Sequence, residues 1–281
     1  MLMPNLPPQI HLNITNSLNE DIYSGDLTAQ LLPAEKVVRA QVITRENAVL
    51  CGTQWFDGCF HPQDPDCEIH WLAKDGDVIK AGQLLCEIRG KARALLTAER
   101  SALNLLQTLS GTATKTKQYV DAVVGINVKI MDTRKTLPGL RHAQKYAVRV
   151  GGGHNQRFGL YDGILIKENH IAAAGGIKEV LAHAFRLAKP DISVQIEVEN
   201  LVQLEEALSA GAKLILLDNF DLVSLRAAVR LTAKRAELEA SGGITLATLR
   251  EVALTGVNRI SIGALTKDLH AVDLSMRIFP D

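Results

Sequence analysis

The spacing of hydrophobic residues changes rhythm once along the chain, close to residue 113. Before that point, from Val37 to Gly90, short runs such as VVRAQVITRENAVLCG alternate apolar with polar residues and are punctuated by Asp-Gly and Ala-Gly pairs. This is the pattern of strands half-buried in a sheet and joined as hairpins, and it predicts a mostly β region. A helix follows, about Thr97 to Leu109. Ala102, Leu106 and Leu109 recur there at i, i+4 and i+7, while Arg100, Asn104 and Gln107 occupy another face. A solvated face is the ordinary reading of such a polar stripe. The small residues of LSGTATKTK then read as a connector, which puts a domain boundary at Gly111 to Thr116.

Beyond that boundary, short and nearly continuous apolar runs recur: VKIM (128–131), GILI (163–166), VQIEV (194–198), LILL (214–217), AELEA (236–240) and RISI (259–262). Helical patterns separate several of them, at Ile177–Ala188, Leu201–Ala210 and Leu222–Lys234. Runs of this length, buried on both faces and joined by helices, predict parallel strands of a barrel or an open sheet. Each run ends in polar or glycine residues: Asp132 with Arg134 and Lys135, Lys167 with Glu168, Glu197 and Glu199, Asp218 with Asn219, Ser241–Gly242–Gly243, and Gly263–Ala264. A (β/α) barrel carries its chemistry at the carboxyl ends of its strands and often holds a phosphate in the loops after its last two strands. The glycine-rich loops of this chain fall in those places.

Composition narrows the setting. At 281 residues, with 47% hydrophobic and 22% charged residues, the chain is globular in type and long enough for two domains. Lys+Arg and Asp+Glu both number 31, so no global field draws it to nucleic acid or to an acidic membrane. No apolar run approaches the ~20 residues of a membrane span. MLMPNLPPQIHL lacks a basic n-region and is broken by prolines, so a secretory signal is not expected and the cytoplasm is. Cys51, Cys59, Cys67 and Cys86 are too sparse for a disulfide scaffold. Cys59, His61, Cys67 and His70 lack the paired short spacing of a zinc site, so ordinary core cysteines are expected. KDGDVIKAGQLLCEIRG is similar to the turn region of a lipoyl or biotinyl carrier. No lysine stands at the hairpin tip that such domains modify, so the likeness is read as shared sheet geometry.

Local charge does not cancel. Thr133 to Lys167 holds seven basic residues (Arg134, Lys135, Arg141, Lys145, Arg149, Arg157, Lys167) against Asp162, whereas Asp191 to Asp221 holds seven acids against Lys213. Lys167, Glu197 and Asp218 adjoin or interrupt apolar strand runs. An unpaired charge costs several kcal/mol in such a place, so these three need ligands or partners. A basic half facing an acidic half suits a polyanion with a divalent cation. Glu197 and Asp218 offer oxygen ligands for Mg²⁺ or acceptors for sugar hydroxyls, and the backbone N–H groups of Ser241–Gly243 and Gly263–Leu265 offer a phosphate cradle.

The motifs ERSALNLLQTLSG, MDTRKTLPGLRHAQKYAV, VGGGHNQRFGLYDGILIKENHI, VQIEVEN, LILLDNF, EASGG and ISIGALT resemble, in order and over nearly the whole chain, those of the quinolinate phosphoribosyltransferases. The resemblance implies an α/β protein with an N-terminal α/β, mostly β domain (1–113) and an incomplete (β/α) barrel (114–267), the active site lying at the C-terminal ends of the strands and the tail 268–281 able to pack back on the first domain. It implies conversion of quinolinate and phosphoribosyl pyrophosphate, with Mg²⁺, to nicotinate mononucleotide, pyrophosphate and CO2, a step of NAD synthesis. The residues matched are Thr133, Arg134, Lys135, Gln156, Arg157 and Lys167 for quinolinate and the phosphates, with Lys135, Lys167, Glu197 and Asp218 as the catalytic set. Glu197 and Asp218 are also matched to the ribose hydroxyls and the metal, and Ser241, Gly242, Gly243, Gly263 and Ala264 to the 5-phosphate loops. His170, in KENH, is matched either as a contact or as support for the strand end. The resemblance further implies a homodimer, or a larger assembly of dimers, in which Arg100 of one subunit completes the other's site.

One position departs from the family pattern. Where Asn-His-Arg is expected after the triple glycine, the chain has Asn155–Gln156–Arg157. An amide can donate a hydrogen bond but cannot become cationic, which puts an essential acid at 156 in doubt. His154 is no evident replacement. Two other readings stand beside this one: a nicotinate-using or molybdenum-utilisation paralogue of the same fold, and a non-catalytic carrier built around the β region.

Overall fold

The computed structural model describes residues 5–280, so residues 1–4 of the N-terminal stretch and Asp281 at the end of the tail lie outside the described residues. The chain divides into two compact units, each discontinuous in sequence. The first comprises the chain up to Lys117, Thr136–Gly152, and the residues from Leu265 on; the second comprises Gln118–Lys135 and Gly153–Ala264. No helix among the described residues is long and apolar enough to cross a membrane.

In the first unit, β1 (Val37–Thr44), β2 (Ala48–Val49), β3 (Glu68–Trp71), β4 (Val78–Ile79) and β5 (Leu84–Lys91) accompany helices α1 (Ile10–Ile22), α2 (Thr53–Phe60), α3 (Ala92–Ala122, the last turn of which lies in the second unit) and α4 (Arg141–Val150). The strands are not the hairpins that the alternation suggested. The antiparallel sheet runs C-terminal strand (Leu274–Pro280), β1, β5, β3, while β2 pairs only with β4. Val42 faces Cys86 on one side and Met276 on the other, so partners for β1 come from far along the chain. Lys80 does stand exposed between β4 and β5, but these strands do not pair with each other, so it is not at a hairpin tip. The stretch also contains α2, whose Trp55, Phe56 and Phe60 are completely buried. Their bulk centres a core that includes Leu85, Ile88, Leu103, Leu106 and, from α4, Ala143 and Tyr146. Buried Asp75 caps α2 by accepting from the N–H groups of Gly52 and Thr53 and from the Tyr146 hydroxyl at 2.9–3.1 Å. All four cysteines are buried thiols. Desolvation holds Cys59 at about 12 and Cys67 at about 11.

The connector expected at 109–117 is instead the continuation of α3. Thr112, Thr114 and Thr116 bond back to the carbonyls four residues earlier at 2.7–3.2 Å, which keeps these polar residues helical. Ser110 and Thr114 also accept from the N–H groups of Cys51 and Val49. The small residues serve close packing rather than a turn: a Cβ at Gly111 would collide with the His270 carbonyl, and one at Gly151 with the Ala113 carbonyl.

The second unit holds β6 (Lys129–Met131), β7 (Gly163–Ile166), β8 (Ser193–Val198), β9 (Leu214–Asp218), β10 (Glu237–Ser241) and β11 (Arg259–Ser261), with α5 (Glu168–Ala174), α6 (Ile177–Leu187), α7 (Leu201–Ser209), α8 (Leu222–Thr232) and α9 (Leu246–Ala253). All six predicted strand runs form. They make one parallel sheet in the order β6-β11-β10-β9-β8-β7. The first strand pairs with the last, as in a closing barrel, whereas β6 and β7 do not pair. The strands are not apolar on both faces, however. Ile196, Val198, Ile215, Leu217, Leu238, Ala240 and Ile260 form one face, all at most 2% exposed, and each larger aliphatic contributes about 1.5–3 kcal/mol of burial. Their alternates, by register, are Gln195, Glu197, Asp218, Glu237, Glu239, Ser241, Arg259 and Ser261, with Leu214 and Leu216 among them. The sheet is oily outside and polar inside.

Two stability outcomes follow. A helical Gly→Ala change ordinarily stabilises by up to about 1 kcal/mol; Gly111→Ala is expected to destabilise by about 2 kcal/mol instead, through overpacking, as read by urea unfolding. Burial raises Asp57 from an ordinary 3.8 to about 6, against its bond from Trp71 Nε1 (2.8 Å) and the charge of His61, and with Asp75 adding to the shift. A folded value above the unfolded one means that this stabilisation is present below about pH 4 and lost as the pH rises through 6. Asp57→Asn keeps an acceptor for Trp71, and should flatten the stability profile between pH 4 and 6 and add about 1–2 kcal/mol at pH 7.

Candidate active site

The carboxyl ends of the sheet in the second unit bring together most of the residues singled out above. After β7, Lys167 Nζ meets Glu197 Oε2 at 2.9 Å, with the Glu197 side chain only 12% exposed. The charge that interrupts the VQIEV run therefore has its partner on the adjacent strand. Lys167 is also the N-cap of α5: His170 Nδ1 accepts from the Lys167 N–H at 3.0 Å, and the two form a capping box. His170 thus supports the strand end, and its ring is otherwise exposed. At the end of β9, Asn219 Nδ2 donates to Asp218 Oδ2 at 2.8 Å, and the Asn219 N–H donates to the Ser241 carbonyl at 2.9 Å. Asn219 has a positive φ of 56°, as do Gly242 (105°) and Gly243 (58°). A Cβ at Gly242 would collide with Asn219 Oδ1, so only glycine permits the loops after β9 and β10 to nest. Gly263 and Ala264 follow β11, half-buried.

On the other side, β6 leads into buried Asp132 and then Thr133, Arg134 and Lys135. Thr133 Oγ1 accepts from the Lys135 N–H at 3.1 Å, and Arg134 and Lys135 are exposed. Asp132 accepts from the Gln156 N–H at 2.8 Å and from Asn155 Nδ2 at 2.7 Å. Its own N–H donates to the His154 carbonyl at 3.0 Å, and His154 in turn donates to the Ile130 carbonyl at 2.8 Å. The segment 154–156 thus lies along the unpaired edge of β6 as a single parallel bridge. It carries Arg157, whose guanidinium donates to the Gly163 carbonyl at 3.0 Å. Burial and the neighbouring Arg134 both lower the Arg157 pKa, and Asp162 opposes them. Asp162 itself accepts from the N–H groups of Phe158 and Gly159 at 2.7 and 2.8 Å. A guanidinium whose charge is disfavoured by burial and by a neighbouring cation is a natural partner for an anion.

Beneath these groups lies a buried polar cluster that motif reading missed. Gln156 Nε2 donates to both oxygens of Glu239 at 2.5 Å and to Gln195 Oε1 at 3.2 Å, and Gln195 Nε2 donates to Glu239 Oε2 at 3.1 Å. Glu239 is 1% exposed, and desolvation raises its pKa against the bonds from Gln195, Gln156 and Ser261. The available signal was polar residues at alternate positions within VQIEV and AELEA. Arg100 lies in the first unit, exposed on α3, and so belongs to a different compact unit from all the other site residues.

A parallel barrel-type sheet with basic groups, two strand-end carboxylates and nested glycine loops is of the class that suits phosphorylated, anionic ligands. Comparison with known proteins makes this specific. Residues 26–110 match the N-terminal domain model of quinolinate phosphoribosyl transferase, and residues 112–277 its C-terminal domain model. The chain is 43% identical over 272 residues to a probable nicotinate-nucleotide pyrophosphorylase (carboxylating) of Bacillus subtilis, covering 95% of this chain and 94% of that one. It is also 43% identical to a nicotinate-nucleotide pyrophosphorylase (carboxylating) of Mycobacterium leprae, covering 94% and 95%. A solved nicotinate-nucleotide pyrophosphorylase from Francisella tularensis superposes with a TM-score of 0.95 at 42% identity, covering 99% of both chains. The chain belongs to the quinolinate phosphoribosyltransferase family, the decarboxylating phosphoribosyltransferases of NAD biosynthesis.

The nested loops give a direct test. Gly242→Ala is expected to lower kcat/KM for phosphoribosyl pyrophosphate by about a hundredfold while circular dichroism stays unchanged, because the clash with Asn219 displaces only the loops after β9 and β10.

Proposed function

We propose that Arg134, Lys135, Arg157 and Lys167, with Glu197 and Asp218, are the groups that bring quinolinate and phosphoribosyl pyrophosphate together. The observation that carries this reading is the Lys167–Glu197 pair at 2.9 Å, at the carboxyl end of the sheet to which Arg157 is held through the Gly163 carbonyl. Arginine forks suit a dicarboxylate, and lysines suit phosphates as point charges. The loops at Ser241–Gly243 and Gly263–Ala264 would receive the 5-phosphate through backbone N–H groups.

Glu197 and Asp218 stand on adjacent strands, each steadied by a neighbouring donor, and such carboxylate oxygens fit the ligands that Mg²⁺ takes alongside substrate phosphates. When bound, the metal would neutralise charge on the departing pyrophosphate. The chain's own contribution is to hold the quinolinate nitrogen against the ribose carbon and to surround developing charge with fixed cations. Transfer leaves the ring nitrogen cationic, and that charge stabilises the adjacent ring carbanion formed as the C–CO2 bond breaks. Decarboxylation therefore follows transfer and needs no general base; one proton taken up at the vacated ring carbon completes it. Arg100, exposed on the first unit, is proposed to serve the site of a second copy in a homodimer, and the cytoplasm expected from the sequence remains part of this reading.

Lys135→Ala and Arg157→Ala should each lower kcat/KM for quinolinate by a hundredfold or more, about 3 kcal/mol, with pyrophosphate and CO2 release falling together. Intact release of both products in these variants would remove the pocket assignment. A single turnover with carboxyl-labelled quinolinate, with and without Mg²⁺, should release one CO2 per pyrophosphate and only in the presence of the metal.

A further inference from the structure

The resemblance drawn from the sequence leads one to expect an imidazole at position 156, and this chain has an amide there. We infer that Gln156 is not a substrate donor but a positioning residue, locked inward onto Glu239 and Gln195, and that it thereby fixes the backbone carrying Arg157. The inference rests on the reading of Arg157 given above. An amide nitrogen has two hydrogens, and acceptors already stand in place for both: the Glu239 carboxylate on one side and Gln195 Oε1 on the other. No donor of the side chain is left over for quinolinate. The Gln156 backbone N–H is committed as well, to Asp132. Residue 156 is therefore pinned at its main chain from β6 and at its side chain from β8 and β10, and Arg157 is the next residue.

The chemistry of the cluster supports this assignment. Glu239 is buried between strands and collects N–H groups from Gln156 and Gln195. A buried carboxylate is tolerated only with such donors. An imidazole can offer one donor when neutral, or a charge when protonated. A carboxamide offers the same two hydrogens at every pH, so the contribution of residue 156 to the support beneath Arg157 does not itself titrate.

A double-mutant cycle tests the proposal. Gln156→Met and Glu239→Met keep the bulk and remove the polar contact from one side each. If the two residues act as one support, each single variant raises KM for quinolinate about tenfold with kcat changed less than threefold, and the double variant is no worse than either single. Multiplying effects, or a loss confined to Gln156→Met, would show that Gln156 meets the substrate itself and would overturn the inference. Should an apolar variant fail to fold, Glu239→Gln and the side-chain amide ¹⁵N–¹H signals of Gln156 give a second readout that needs no turnover. The expected result is slow hydrogen exchange in the wild-type protein, shifted signals in Glu239→Gln, and no shift on saturation with quinolinate. Fast exchange, or signals that move with quinolinate, would sink the assignment. A wild-type protein that fails to release CO2 from quinolinate would refute the proposed function, and the amide signals would still decide the role of Gln156.

Discussion

The buried carboxylate of Asp132 fastens the exposed margin of the second unit. A parallel sheet whose first strand pairs with its last has one seam left, between β6 and β7. Unpaired backbone at that seam would be costly unless something answered it. The segment 154–156 does so. It pairs once with β6, and Asp132 then accepts from both Asn155 and Gln156. One acid thereby converts an open sheet edge into the support for Arg157. The span 154–157 also sends the Gln156 side chain inward, so the seam, the interior cluster and the cationic site share a single short piece of backbone.

The polar interior is the second constraint. Small barrels are usually filled with branched aliphatics, whereas here amides, carboxylates and an Arg259–Glu237 ion pair occupy much of that face. Hydrogen bonding inside such a face has to be satisfied nearly everywhere, and the Gln156, Gln195 and Glu239 bonds meet that requirement. The return is rigidity: directional bonds fix side chains at one orientation where aliphatic packing tolerates several. Groups at the strand ends consequently stand on a floor that resists slippage.

Much of this was legible in the sequence, for identifiable reasons. The six strands of the second unit were readable because their outward faces are uninterrupted aliphatic residues, and the strand-end charges because they break apolar runs. The cost of an unpaired charge marked Lys167, Glu197 and Asp218 as groups in need of ligands or partners, but only the structure shows that Lys167 and Glu197 partner each other. The first unit was harder to read. Alternation in VVRAQVIT marks a strand but not its partner, and the partners of β1 lie at Leu84–Lys91 and Leu274–Pro280. The Thr-rich stretch of α3 resembled a linker because composition does not reveal hydroxyls bonded back to the preceding turn. Gln195 and Glu239 are not legible in the sequence, because a polar residue inside a strand looks like a solvated one until the register shows which way it faces.

The strand Leu274–Pro280 lies beside β1 in one sheet, and this bears on the order in which a growing chain can assemble. The second unit contains nothing beyond Ala264, so every residue of its sheet is made before the strand Leu274–Pro280 is. The first unit, although its opening stretch emerges earliest, must wait for the last strand to be made before its sheet has its full width. Non-local pairing of this kind is slow, and until it happens β1 presents a bare margin to its surroundings, where chaperones have the most reason to attend.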